Sequence, residues 1–241
     1  ESEALVCHDE IILSVSIFPG GKASLLHPIH KQEVEIKGSD PLIALRDSIY
    51  CLSSKVVEDS VTEPSQKTIL KSSAFFFIED VFYDDPLDSQ TQSRPSDVYF
   101  EAIKAVGSTS IAAQALSSDP SSIQRASLSL TKWLDLKIRL NKPYLFAHLG
   151  GCEHLFMITD VRAVTLSEEQ TLSLPRIVQS LRVRRRKCRV CEVYAGSKML
   201  INDKLMPENP CVICDKCFEG FHGNENLWYN DFIIDSYYHE I

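Results

Sequence analysis

Residues 11–21, IILSVSIFPGG, with VEI at 34–36 and DPLIALRDSI at 40–49, decide how the chain begins to fold. Ile11 to Phe18 concentrates residues that favour strands, and Pro19-Gly20-Gly21 is a turn signal. Val34-Glu35-Ile36 is the expected return strand. A helix start follows. Asp40 can cap, Pro41 suits the first helical position because its missing N–H would have no intrahelical partner, and Leu42, Leu45 and Ile49 recur at helical spacing. Strand, turn, strand, helix is the opening order of a ubiquitin-like β-grasp, so an α+β chain built on such a sheet is expected.

Outward from this segment, residues 52–72 are polar and read as a loop. AFFFIEDVFY (74–83) is too aromatic for anything but buried strand, bent as a hairpin at Glu79-Asp80. Residues 84–96 read as a second loop, with Asp84-Asp85 as turn polarity, and Asp97 to Val106 as a short helix. Asp119 to Arg139 predicts a longer helix, with Ile123, Ala126, Leu130, Trp133 and Leu134 as its apolar stripe. YLFAHL (144–149) and LFMITDVRAVT (155–165) read as two strands joined by Gly150-Gly151-Cys152-Glu153. The expected organisation is a β-grasp-like body over 10–165 with a helical insertion at about 85–143. A basic segment and a zinc-stabilised C-terminal module then occupy 176–241, and the two parts pack as one unit.

The 241 residues are 44% hydrophobic and 24% charged, a globular balance that excludes a collagen-like or wholly disordered chain. No stretch approaches the roughly 18 consecutive apolar residues of a membrane span. The opening ESEALVCHDE lacks the basic and apolar regions of a signal peptide.

Five of the eight cysteines lie in the tail as C188-x2-C191 and C211-x2-C214-x2-C217, with His222 following after four intervening residues. Paired C-x2-C units are metal knuckles, because two thiolates at that spacing reach one ion, whereas they make poor disulfide scaffolds. A reducing compartment follows. Cys188, Cys191, Cys214 and Cys217 form the most economical zinc site, leaving Cys211 and His222 over. Upstream, His148, Cys152 and His154 gather three metal-capable side chains within seven residues. A second zinc site could combine them with Cys211 or His222. Taken singly, each histidine is an ordinary buried or surface residue.

Residues 176–189, RIVQSLRVRRRKCR, hold seven basic residues and no acidic one, against a net charge of −8 for the whole chain. Arg182, Arg184, Arg185, Arg186, Lys187 and Arg189 are the candidate phosphate contacts, placed beside the first zinc knuckle. The blander readings of such a run are a nuclear import signal or a solvated loop. No phosphate-cradling or nucleophile-elbow motif is present, and no catalytic residues are assigned.

The run PLIALRDSIYCLSS (41–54), the strand FFFIEDVFYDD (75–85), the turn HLGGCEHLFMITDVR (148–162) and the tail with NPCVICDKCF (209–218) occur in one order. Together they resemble the snRNA-activating protein complex subunit 3 family over roughly residues 34 to 230. The resemblance implies a non-enzymatic, nuclear DNA-binding subunit of a multisubunit transcription factor. That complex recognises the proximal sequence element of small nuclear RNA promoters for RNA polymerases II and III. Its implied partners are double-stranded promoter DNA, a Myb-repeat subunit and a small helical scaffold subunit, with no membrane. The family's zinc-finger region carries over to His148, Cys152, His154, Cys188, Cys191, Cys211, Cys214, Cys217 and His222. The alternative is a ubiquitin-system adaptor with a β-grasp body and a RING-like zinc module, although such a module needs eight interleaved ligands and the tail supplies six candidates.

Overall fold

The computed structural model describes residues 6–18, 32–63, 65–66, 69, 73–87, 93–106, 123–165, 173–180, 185–223 and 231–239, with the side chains of 6–9 and 102–106 left aside. The chain divides into two compact units, Glu1–Leu181 and Arg182–Ile241.

The first unit is built on an eight-stranded sheet. Its elements are β1 (Val6–Ile17), β2 (Gln32–Lys37), α1 (Leu42–Ser48), α2 (Leu52–Ser60), β3 (Ala74–Ile78), β4 (Val81–Tyr83), α3 (Asp97–Val106), β5 (Gln124–Ala126), β6 (Tyr144–His148), β7 (Cys152–Thr165) and β8 (Arg176–Gln179). The spatial order is β5-β4-β3-β6-β7-β1-β2-β8. Among the described strands of this sheet, only the β4–β5 pairing is parallel. The sequence order of strand, strand and helix at the start is present, and the α+β class holds. The β-grasp form is not confirmed, because β1 lies between two antiparallel neighbours in a much larger sheet. Residues 176–179, expected with the tail, pair with β2 as an edge strand.

Strand alternation sends side chains to two faces. On one face Leu13, Val15, Val34, Ile36, Phe76, Phe146 and Phe156 pack against Leu42 and Leu45 of α1 and against Trp133. On the other, Phe75, Phe77, Phe82, Leu145 and Ala147 pack against Tyr99 and Phe100 of α3. The AFFFI run is buried on both faces, which accounts for its unbroken apolar sequence. Its hairpin bends at Glu79 and Asp80, both at positive φ (45° and 64°), as a two-residue turn requires.

Two expectations are overturned. Residues 52–60, read as loop, form α2. The helix expected over 119–139 is absent from the described residues 123–139, which instead hold β5 and a 3-10 turn at Trp133–Asp135. Polar side chains win locally. Ser127 Oγ donates to Asp85 at 2.6 Å, the Ser129 N–H donates to Asp85 at 3.0 Å, and Thr131 Oγ1 donates to the Ser127 carbonyl at 2.6 Å. Of the supposed stripe, Trp133 is buried while Leu130 is 82% exposed.

The second unit contains β9 (Lys198–Ile201), β10 (Cys211–Ile213), α4 (Asp215–His222) and β11 (Ile233–Ser236), with the sheet order β10-β9-β11, all antiparallel. Its small core gathers Leu200 and Ile213 around Cys188 and Cys214. A core this small leaves little hydrophobic stabilisation without a further constraint.

In the first unit, Glu79 staples the β3–β4 turn to β6. It accepts from Arg139 at 2.6 and 2.8 Å, from Lys142 at 3.0 Å and from the Tyr144 hydroxyl at 2.7 Å. The Arg139 guanidinium, ahead of the other partners, holds its carboxyl down at about 2. A depressed native pKa stabilises the fold above the unfolded value, and the contribution is lost as pH falls through the native one. Glu79→Gln is therefore expected to cost about 1–2 kcal/mol near pH 7. Urea unfolding should show the difference from the parent shrinking as pH falls from about 4 toward 2.

Candidate metal centres

The first centre is assembled in the N-terminal unit from three places in the chain. His148 ends β6 and stands directly opposite Cys152 at the start of β7. The connection turns tightly, with Leu149 and Gly150 both at positive φ. His154, two residues along β7, lies on the same face as Cys152 because side chains alternate. The fourth member, Cys51, comes from the start of α2, where its carbonyl accepts the Lys55 N–H. Buried Gln32 fixes the approach to it. Its Nε2 donates to the Ser48 carbonyl at 2.7 Å, and its Oε1 accepts the Tyr50 N–H at 2.9 Å.

The ligand atoms of Cys51, His148, Cys152 and His154 all lie within 4.8 Å of one another. Cys51 Sγ is 3.7 Å from Cys152 Sγ, and His154 Nε2 is 3.0 Å from His148 Nε2 and 3.5 Å from Cys152 Sγ. Each ring is oriented through its other nitrogen. His154 Nδ1 is 3.2 Å from the Phe18 carbonyl, which can only accept, so that nitrogen donates there and Nε2 is left facing His148 and Cys152. His148 Nδ1 meets Ser54 Oγ at 3.1 Å, and its ring stacks on Phe146. Two buried Nε2 atoms turned toward each other beside two thiols form a donor set suited to a shared cation, with its outer hydrogen bonds in place. The hydrogen bond from the Cys152 thiol holds Cys51 far below the ordinary thiol range, and Cys152 is pushed up in return.

The second centre lies wholly in the C-terminal unit. Cys188, Cys191, Cys214 and Cys217 bring their sulfurs within 4.8 Å of one another, with Cys191 and Cys214 3.9 Å apart. The first knuckle is closed by the Cys188 N–H donating to the Tyr194 carbonyl at 2.8 Å and the Glu192 N–H donating to the Cys188 carbonyl at 3.0 Å, with Glu192 at positive φ. The second sits on the first turn of α4, where Cys214 precedes the helix and Cys217 lies within it. Backbone N–H groups of Tyr194 and Val193 hold the Cys191 thiol down at about 6, while burial and then Cys214 push Cys217 up to about 12.

Among the described residues, Cys211 and His222 belong to neither group. Cys211 is buried in β10 opposite Leu200, where burial raises its thiol. His222 Nε2 instead faces Asp203 at 2.8 Å, with both side chains buried, and its ring lies between Phe218 and Phe232. Each group thus draws its four ligands from one unit, and Cys51 takes the place that the sequence offered to Cys211 or His222. Nothing local marks Cys51, which is 101 residues from Cys152. The one usable signal was arithmetic, since three candidate ligands need a fourth.

Of the basic run, Arg182 and Arg184 lie outside the described residues. Arg185, Arg186 and Lys187 are exposed on the segment leading into the first knuckle, joined to its returning arm by an isolated bridge between Lys187 and Ala195. Arg189 is also exposed, but its guanidinium donates to Glu208 at 3.1 Å.

No helix among the described residues is long and apolar enough to cross a membrane. Residues 32–238 match the family model described as snRNA-activating protein complex (SNAPc), subunit 3. The chain is similar to proteins named snRNA-activating protein complex subunit 3 from Bos taurus (32% identical), Rattus norvegicus (33%) and Mus musculus (33%), in each case over 88% of this chain. The alignments cover 51% of the first relative and 52% of the other two, so the chain spans about half the length of the curated relatives it matches. With a family match that takes in both ligand groups and most of the sequence, the chain belongs to the snRNA-activating protein complex subunit 3 family.

Proposed function

We propose that this chain is a non-enzymatic, nuclear subunit of an snRNA-activating complex, held together by two structural zinc ions. In this reading it contacts double-stranded DNA at the proximal sequence element of small nuclear RNA promoters, for transcription by RNA polymerases II and III. A Myb-repeat subunit and a small helical scaffold subunit are its partners. The observation that carries the reading is the family match over residues 32–238.

The donor sets support zinc. A tetrahedral ion about 2.3 Å from two thiolates separates them by about 3.8 Å. The sulfur pairs at 3.7 and 3.9 Å fit that edge. Four protein ligands close each site against water, which is the pattern of structural zinc. When bound, the ion would neutralise thiolates and cross-link the elements that carry them. Cys51, His148, Cys152 and His154 would hold one ion, and Cys188, Cys191, Cys214 and Cys217 the other. The groups follow one another along the chain, which gives no support to an interleaved RING-like arrangement.

The exposed arm at 185–187 supports DNA contact, because Lys and Arg side chains that neutralise phosphates release the counterions condensed on the DNA. Elsewhere the excess of acidic residues disfavours DNA and suits protein partners.

Metal analysis of the purified full-length protein should find two zinc ions per chain. Cys51→Ser should leave one and Cys211→Ala two; two ions retained by Cys51→Ser would remove Cys51 from the ligand set. In the assembled complex, the triple change R185A/R186A/K187A should lower DNA affinity and reduce the slope of log affinity against log salt by about 2–3. An unchanged slope would count against this arm as the contact. Affinity purification from nuclear extract should recover a Myb-repeat protein; recovery of ubiquitin-conjugating enzymes in its place would overturn the assignment.

A further inference from the structure

The first knuckle carries more than its cations. Its arms are registered by the Cys188 N–H to the Tyr194 carbonyl at 2.8 Å and the Gly196 N–H to the Arg186 carbonyl at 3.0 Å. A Cβ on Gly196 would run into Val212 Cγ1, so the returning arm packs closely on the Val212 side chain of β10. On this rigid hairpin Val193 is 69% exposed and Tyr194 47% exposed. Lys216, from α4, reaches the same place. Its Nζ is 4.5 Å from the Tyr194 ring centroid and 3.2 Å from the hydroxyl.

The acidic groups nearby are already engaged or offset. Glu208 holds Arg189, and Asp215 pairs with Lys198 at 2.5 Å. Glu192 shares a cleft of about 420 Å³ with Glu208 and three basic side chains, Arg186, Lys187 and Arg189. Among the described residues, the side chains of Arg185, Arg186 and Lys187 make no ion pair. A tip with adjacent aliphatic and aromatic surface, flanked by the unpaired cations of the arm and by Lys216 resting on the Tyr194 ring, complements a polyanion that has apolar sugars between its charges.

We propose that the knuckle tip docks on the sugar–phosphate backbone of duplex DNA, with Val193 and Tyr194 packing on a deoxyribose and Lys216 adding a phosphate contact to those of Arg185, Arg186 and Lys187. This rests on the DNA-binding reading above and assigns it a surface. Arg189, held by Glu208, contributes little. The contact positions the protein and reads no base.

The test uses the full-length protein in its assembled complex, with a labelled duplex carrying the promoter element and a scrambled duplex of equal length. Tyr194→Ala is expected to weaken both duplexes by the same factor, about five- to tenfold. Val193→Asp should weaken them further. Lys216→Ala should lower the salt slope by about 1, and Arg189→Ala should leave it unchanged. Zinc content and thermal unfolding of each variant check that the knuckle is intact. Wild-type binding by both Tyr194→Ala and Lys216→Ala, while R185A/R186A/K187A still loses affinity, overturns the docking surface and leaves the DNA-binding reading standing. A loss for Tyr194→Ala confined to the promoter duplex overturns the backbone assignment. Undiminished binding by the triple variant overturns both readings together.

Discussion

His148 stands opposite Cys152 across the β6–β7 turn, and the first unit is organised around that register. A slip of one residue would turn Cys152 and His154 to the other face, away from Cys51 and from the carbonyl that orients the His154 ring. The same slip would move Phe156 and Ile158 out of the core they share with Val15 and Val34. The convergence of the four candidate ligands and the hydrophobic packing therefore specify one alignment of the same strand. The long pairing of β7 with β1, which continues from Phe156 to Thr165, makes alternatives costly along its length.

What was legible in the sequence was local. The aromatic strand, its hairpin and the two C-x2-C knuckles are decided by neighbours within a few residues, and the reading of each matches the arrangement found. Three features were illegible for distinct reasons. Cys51 reaches its partners only through tertiary folding. The apolar periodicity of Ile123 to Leu134 imitates a helix, but Ser127, Ser129 and Thr131 have hydrogen-bonding alternatives that sequence spacing does not weigh. The polar run at 52–60 forms a helix with no buried residue of its own, so no hydrophobic stripe announced it. The α+β class survived these errors because it rests on the strands.

The tail shows how one pattern holds two kinds of residue. Cys211 and His222 have the ligand chemistry and spacing of zinc-finger residues, yet they serve the core of the C-terminal unit. Asp203 and His222 are both buried, and a buried pair of this kind is costly to break from one side, because the survivor is left in a medium that solvates it poorly. The pair therefore fixes the far end of α4, the helix whose first turn carries Cys214 and Cys217.

The separations along the chain impose an order on synthesis. Cys51 and Cys152 are 101 residues apart, while Cys191 and Cys214 are 23 apart. Closing the longer loop costs about 1 kcal/mol more in chain entropy. Ribosomal extension compounds the difference, since Cys51 emerges early and waits as a lone thiol until His154 has left the tunnel. The C-terminal cysteines emerge almost together and have their partners at hand. The N-terminal unit thus spends the longer part of its birth with the Cys51 thiol apart from the groups it meets in the folded chain.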